Sequence, residues 1–94
     1  MRLGWLRKAL RNLDDEATYI ATDDPVAARL VVERVLGAVA MLADQPGLGR
    51  PGRIPGTREL VVHKTRYIVP YRVRADAIQA LRVFHTSRRL PKRW

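Results

Sequence analysis

A chain of 94 residues with a net charge of +9, 47% hydrophobic positions and no cysteine excludes several classes at once. It suits a single domain over residues 1–94, able to bury roughly 60–70% of its unfolded surface, and it leaves no room for a disulfide framework or a Cys-based metal site. There is no apolar run of about 18 residues, and "MRLGWLRKAL" is too short and too charged for a signal peptide, so a cytoplasmic protein without membrane contact is expected.

Taken in chain order, "MRLGWL" reads as a short strand. From Leu6 to Thr22, the residues Leu6, Leu10, Leu13, Ala17 and Ile20 recur at helical spacing, with Arg7, Lys8, Arg11, Asp14, Asp15 and Thr18 mostly on the other face. "TDDP" ends this helix and starts the next, because Asp24 suits an N-cap and Pro25 a first helical position. The second helix runs to about Asp44 on a stripe of Ala28, Val32, Val35, Leu36, Val39, Leu42 and Ala43. Pro46 cannot continue it and Gly47 can take a left-handed cap. So short a connection between two amphipathic helices implies an antiparallel hairpin.

"GRPGRIPGTRELVV", residues 49–62, reads as a shaped loop, since each Gly frees and each Pro fixes the backbone for a turn. Arg50, Arg53 and Arg58 then ride on a defined scaffold. Beyond it the period changes to 2, and "RELVVHK", "RYIVPYRVR" and "AIQALRVFH" read as three strands with turns at "KT" and "AD". In the middle strand Tyr67, Val69, Tyr71 and Val73 share the face assigned to the helices. Arg66, Ile68, Pro70, Arg72 and Arg74 share the other. Pro70 predicts an irregularity or a missing N–H in the ladder. The expected fold class is α+β: a short N-terminal strand and an antiparallel helical hairpin packed on one face of a small antiparallel sheet, the opposite face open and lined with arginine.

The positive charge is one-sided. Residues 1–45 hold six Lys/Arg against seven Asp/Glu, whereas residues 46–94 hold twelve against two. Such asymmetry points to an anionic partner. Most enzyme templates fail: the glycines of the loop precede a strand and not a helix, His63 and His85 supply at most two metal ligands, and no carboxylate pair is spaced for acid/base work. No metal or cofactor is expected. The remaining chemistry is that of arginine forks on a rigid scaffold, suited to binding phosphate or carboxylate groups or to stabilising a charged transition state. The candidate target-binding residues are Arg53, Arg58, Arg66, Arg72, Arg82, His85, Arg88 and Arg89.

"DDPVAAR", "GRPGRIPGTRELVV", "YIVPYRV" and "LRVFHTSR" in this order resemble the RelE/ParE superfamily of type II toxin–antitoxin toxins, most closely its ParE, or plasmid-stabilisation, branch. The resemblance runs from the first helix to Arg89. It implies two helices on an antiparallel sheet, an antitoxin partner with an acidic, amphipathic C-terminal tail, and one of two activities. ParE-like members poison DNA gyrase and stop replication; RelE-like members cut mRNA on the ribosome. RelE-like enzymes tend to carry an arginine three residues before the strand tyrosine, and here Ile68 stands three before Tyr71. They also often end in a tyrosine or histidine, whereas this chain closes on "PKRW". These departures favour gyrase. If the protein is instead a ribonuclease, Arg72, His85 and Arg88 are its candidate catalytic residues, and a non-toxic nucleic-acid-binding module is a third reading. The antitoxin is expected on the hairpin, at Leu10, Leu13, Ala17, Ile20, Val32, Leu36 and Val39.

Overall fold

The computed structural model describes residues 1–87, and its elements follow the order read from the sequence. Strand β1 (Arg2–Trp5) leads into helix α1 (Arg7–Ala21) and helix α2 (Pro25–Ala40), which ends in a 3-10 turn at Met41–Ala43. Strands β2 (Arg50–Pro51), β3 (Arg58–Val61), β4 (Tyr67–Arg74), β5 (Ala77–Ala80) and β6 (Phe84–His85) complete the sheet. Asp24 caps α2 as expected, its Oδ1 accepting the Ala27 N–H at 3.0 Å with Pro25 at the head of the helix.

The sheet runs β1-β5-β4-β3-β2, with β6 also on β4. It is mixed, because β1 joins β5 in parallel while the other pairings are antiparallel. Leaving β1, the chain passes through both helices before returning to the sheet, and a connection of that length is what permits parallel pairing. The loop expected at residues 49–57 also contributes a strand, β2, which pairs Arg50 with Glu59 and Pro51 with Arg58.

One face of the sheet and the hairpin enclose the core. Tyr67, Val69 and Tyr71 of β4 join Leu60, Val62, Ile78, Ala80, Val83 and the helical Leu13, Val35, Val39 and Leu42 in one cluster. Burial along β4 is complete from Tyr67 to Tyr71 and gone by Val73, which is 40% exposed instead of lying in the core. The last residues of β4 run past the start of β3, whose first residue, Arg58, pairs with Tyr71.

The opposite face is not the open arginine surface expected. Ile68 is 1% exposed, and Pro70, Leu81 and the carboxylate-bearing Glu59 are also buried. The loop bends onto this side, since the Arg53 N–H donates to Glu59 Oε2 at 3.1 Å and Arg50 reaches Oε1 at 3.4 Å. Along β4 that face is buried at Ile68 and Pro70 and accessible at Arg72 and Arg74.

The third predicted strand is broken, and Pro70 accounts for the break. The Leu81 N–H donates to Pro70 O at 2.8 Å, so the Pro70 nitrogen faces the same neighbour without a proton to return. Leu81 O takes the Arg82 guanidinium in place of that missing donor. Between the pairs Tyr71–Ala80 and Ile68–Phe84, β4 has two residues and its neighbour has three. This is a β-bulge, and α1 secures it: Asn12 Oδ1 accepts the Val83 N–H at 3.1 Å.

The "AD" turn carries a local cost. Ala75 has φ of 51°, in the left-handed region that a Cβ disfavours by roughly 1–2 kcal/mol. Ala75→Gly removes that strain at some entropic cost in the unfolded chain, for an expected gain of about 0.5–1 kcal/mol. Urea unfolding should show a higher midpoint with an unchanged slope.

Candidate functional site

The arginine-bearing loop is a fixed structure, held from below by Tyr71. The fully buried Tyr71 hydroxyl donates to Pro46 O at 2.7 Å and accepts the Gly49 N–H at 2.8 Å. Arg58 donates to Gly49 O at 2.8 Å, and the Gly52 N–H to Thr57 O at 2.8 Å. Gly49 must be glycine, because a Cβ there would lie 2.6 Å from Tyr71 Cε1 and 2.9 Å from Glu59 O. The loop's other arginines serve Glu59: Arg50 Nη2 and Arg53 Nε lie 3.4 and 3.8 Å from its carboxylate. The pairing compensates a buried charge that would otherwise be expensive.

The predicted target-binding residues therefore divide. Arg58 and Arg53 have scaffold roles, though both remain exposed. Arg66 is exposed just before β4. Arg72 donates through Nε to Gln79 Oε1 at 2.7 Å, a cross-strand pair that holds its guanidinium flat on the accessible end of the sheet. Arg72, Arg74 and Arg82 line one groove of about 420 Å³ together with Leu6, Ile54–Thr57, Val73 and Leu81. Arg88 and Arg89 lie outside the described residues.

His85 does not join this group. It pairs with Tyr67, and register partners share a face, so it belongs to the helix side while Arg72 and Gln79 occupy the other. The bulge reverses the parity of the strand, so that Ile78, Ala80, Val83 and His85 point one way. His85 meets the Tyr67 ring edge-on at 5.1 Å, its Nδ1 lies 2.8 Å from Ser87 Oγ, and the Tyr67 hydroxyl donates to Glu16 Oε1 at 2.9 Å. An Arg72–His85 catalytic pair does not form across the sheet.

On the hairpin, Leu13 and Val39 are core residues and closed to any partner, correcting their assignment as antitoxin contacts. They stand on the stripe that α1 and α2 turn toward the sheet. Leu10 and Leu36 are 48% and 43% exposed, and Ile20 is half-buried against the core. Ala17 and Val32 line a shallow groove between the helices with Thr18, Ala21, Ala28, Arg29 and Glu33. The sequence reading missed the exposed Tyr19, Val26 and Leu30. Their signal was present: α2 carries apolar residues off its core stripe, which a helix needing only one buried face does not require.

Among the described residues no helix is long and apolar enough to cross a membrane, and no cluster of three or more His, Asp or Glu side chains is placed to hold a metal ion. The family model for the ParE toxin of the type II toxin–antitoxin system parDE matches residues 3–90. The chain belongs to the ParE toxin family. This ParE toxin is 47% identical over 91 residues to the Sinorhizobium fredii protein named "Putative toxin Y4kP", covering 97% of this chain and 94% of that one. It superposes with a TM-score of 0.85 on a chain of the chromosomal ParDE TA system from P. aeruginosa, at 31% identity over 93% of this chain and 97% of that chain. The protein is accordingly a type II toxin of the ParDE kind, with the two-helix, mostly antiparallel α+β fold of a ParE toxin.

Proposed function

We propose that this ParE toxin acts in the cytoplasm by binding DNA gyrase and blocking replication, and that an antitoxin with an acidic, amphipathic tail neutralises it. The separation of Arg72 and His85 onto opposite faces of the sheet supports binding over cleavage. A metal-independent ribonuclease needs a charge-stabilising group and an acid or base converging on one phosphate. Among the described residues the groove offers arginines and no acid or base, and Ile68, where the ribonucleases tend to keep another arginine, is buried. The antitoxin's apolar helix lies along the hairpin over Leu10, Ala17, Ile20, Val32 and Leu36, and its acidic residues compensate the basic half of the chain. A tail that folds on binding covers a surface of this extent.

Induction in growing cells tests the reading. DNA synthesis should stop and a DNA-damage response should follow while protein synthesis continues at first. Prompt loss of translation with codon-linked mRNA cleavage would overturn it in favour of the ribonuclease. Arg72→Ala should melt within about 0.5 kcal/mol of the parent, as accessible surface substitutions do, yet lower toxicity.

A further inference from the structure

The groove beneath the loop has a composition that binding to a protein target does not by itself explain. Of the ten described residues that line it, three are arginines and none is acidic. Glu59 of β3 is buried and engaged by Arg50 and Arg53, and Asp76 after β4 is paired with Arg2. The cations are also oriented. Gln79 fixes Arg72 by its Nε, which leaves both terminal NH2 groups as a fork, and Leu81 O holds the Arg82 guanidinium against its own strand. Arg74 is exposed at the rim. Facing them, Leu6, Ile54 and Pro55 supply an apolar wall. A volume of about 420 Å³ falls in the lower part of the ~300–1,000 Å³ range of sites that hold small ligands.

We infer that this groove is a nucleotide subsite that takes one phosphodiester of a nucleic-acid strand on Arg72 and Arg74, with the adjoining sugar and base against Leu6, Ile54 and Pro55. Oriented guanidinium forks match phosphate oxygens bidentately, and an apolar wall beside them suits the face of a base. A purely acidic segment such as polyglutamate would use the charges but leave the wall unfilled. The inference deepens the gyrase reading, on which its cellular meaning rests: the toxin holds a DNA strand exposed in the gyrase complex as well as the protein.

The test is fluorescence anisotropy of the full-length protein with labelled oligothymidylate, oligouridylate and polyglutamate over a salt series. Both oligonucleotides should bind, the tighter one identifying the source of the strand. Each phosphate contact contributes about 0.7 to the slope of log affinity against log salt. Arg72→Gln and Arg74→Gln should therefore each weaken binding about tenfold, as loss of a charged hydrogen bond does, and the double variant should flatten the slope by about 0.7. Arg11→Gln, the same charge change on exposed α1, should do neither. Equal effects of Arg11→Gln and Arg74→Gln, polyglutamate binding as tight as the oligonucleotides, or no binding at low salt would each overturn the inference. Gyrase inhibition assayed with the same variants separates the two readings. Inhibition undiminished in Arg74→Gln sinks the subsite and leaves the gyrase target standing, whereas oligonucleotide binding without any gyrase inhibition does the reverse.

Discussion

Tyr71→Ala is expected to destabilise the fold by about 3–5 kcal/mol, the usual cost of truncating a large aromatic ring in a packed core. The ring is fully buried between β4 and the helices. Its hydroxyl adds a second loss, because Pro46 O and the Gly49 N–H both depend on it. Tyr71→Phe isolates that part: the ring stays, two buried backbone groups lose their partner, and about 1–3 kcal/mol should go. Chemical denaturation of both variants gives the two terms. If Tyr71→Phe proved neutral, the hydroxyl would not be what holds the Gly/Pro loop to the sheet.

Gly49→Ala should also destabilise the fold, for a different reason. The added Cβ meets Tyr71 Cε1 at 2.6 Å, the hydroxyl at 2.8 Å and Glu59 O at 2.9 Å, and a rigid ring and a β-strand carbonyl have little room to yield. Overpacking of this kind typically costs about 1–3 kcal/mol and displaces backbone. Since Arg58 is anchored on Gly49 O, the loop should shift with it and the groove should open. A drop of several degrees in Tm, together with weaker oligonucleotide binding, is the expected pair of results. A variant with parental stability would mean that the loop does not close on Tyr71.

Much of the fold was legible in residue spacing. The 3.6-residue periodicity of α1 and α2, the Asp24–Pro25 cap and the change to period 2 after the loop placed every layer, because each is a local signal. The middle strand revealed half of its packing: Tyr67, Val69 and Tyr71 lie on the helix side as alternation requires, and Val73 is exposed where β4 runs past the start of β3. The bulge was legible only as a hint. Pro70 flagged a missing donor, but its consequence falls on another strand, where Ala80 and Leu81 stand side by side as apolar neighbours and break the alternation. A single inserted residue reverses every later side chain, which is why His85 was grouped with Arg72 and lies instead with Tyr67. The parallel pairing of β1 with β5 had no local signature, since it depends on where the hairpin returns the chain.

The candidate site was legible as charge but not as geometry. Twelve basic residues in the second half of the chain marked an anionic partner, yet composition does not distinguish Arg58, which staples a loop, from Arg72, which is held flat by Gln79 and lines a groove. That distinction depends on cross-strand register. The core positions Leu13 and Val39 were likewise inseparable from the exposed Leu10 and Leu36 by periodicity alone, because α2 carries apolar residues beyond the face it buries.

The central claim, a toxin that poisons gyrase by binding, is tested most directly with purified components. The protein should inhibit gyrase supercoiling or trap cleaved DNA in a dose-dependent manner, the cognate antitoxin should reverse the effect, and mRNA on programmed ribosomes should remain intact. Codon-linked mRNA cleavage with gyrase untouched would contradict it.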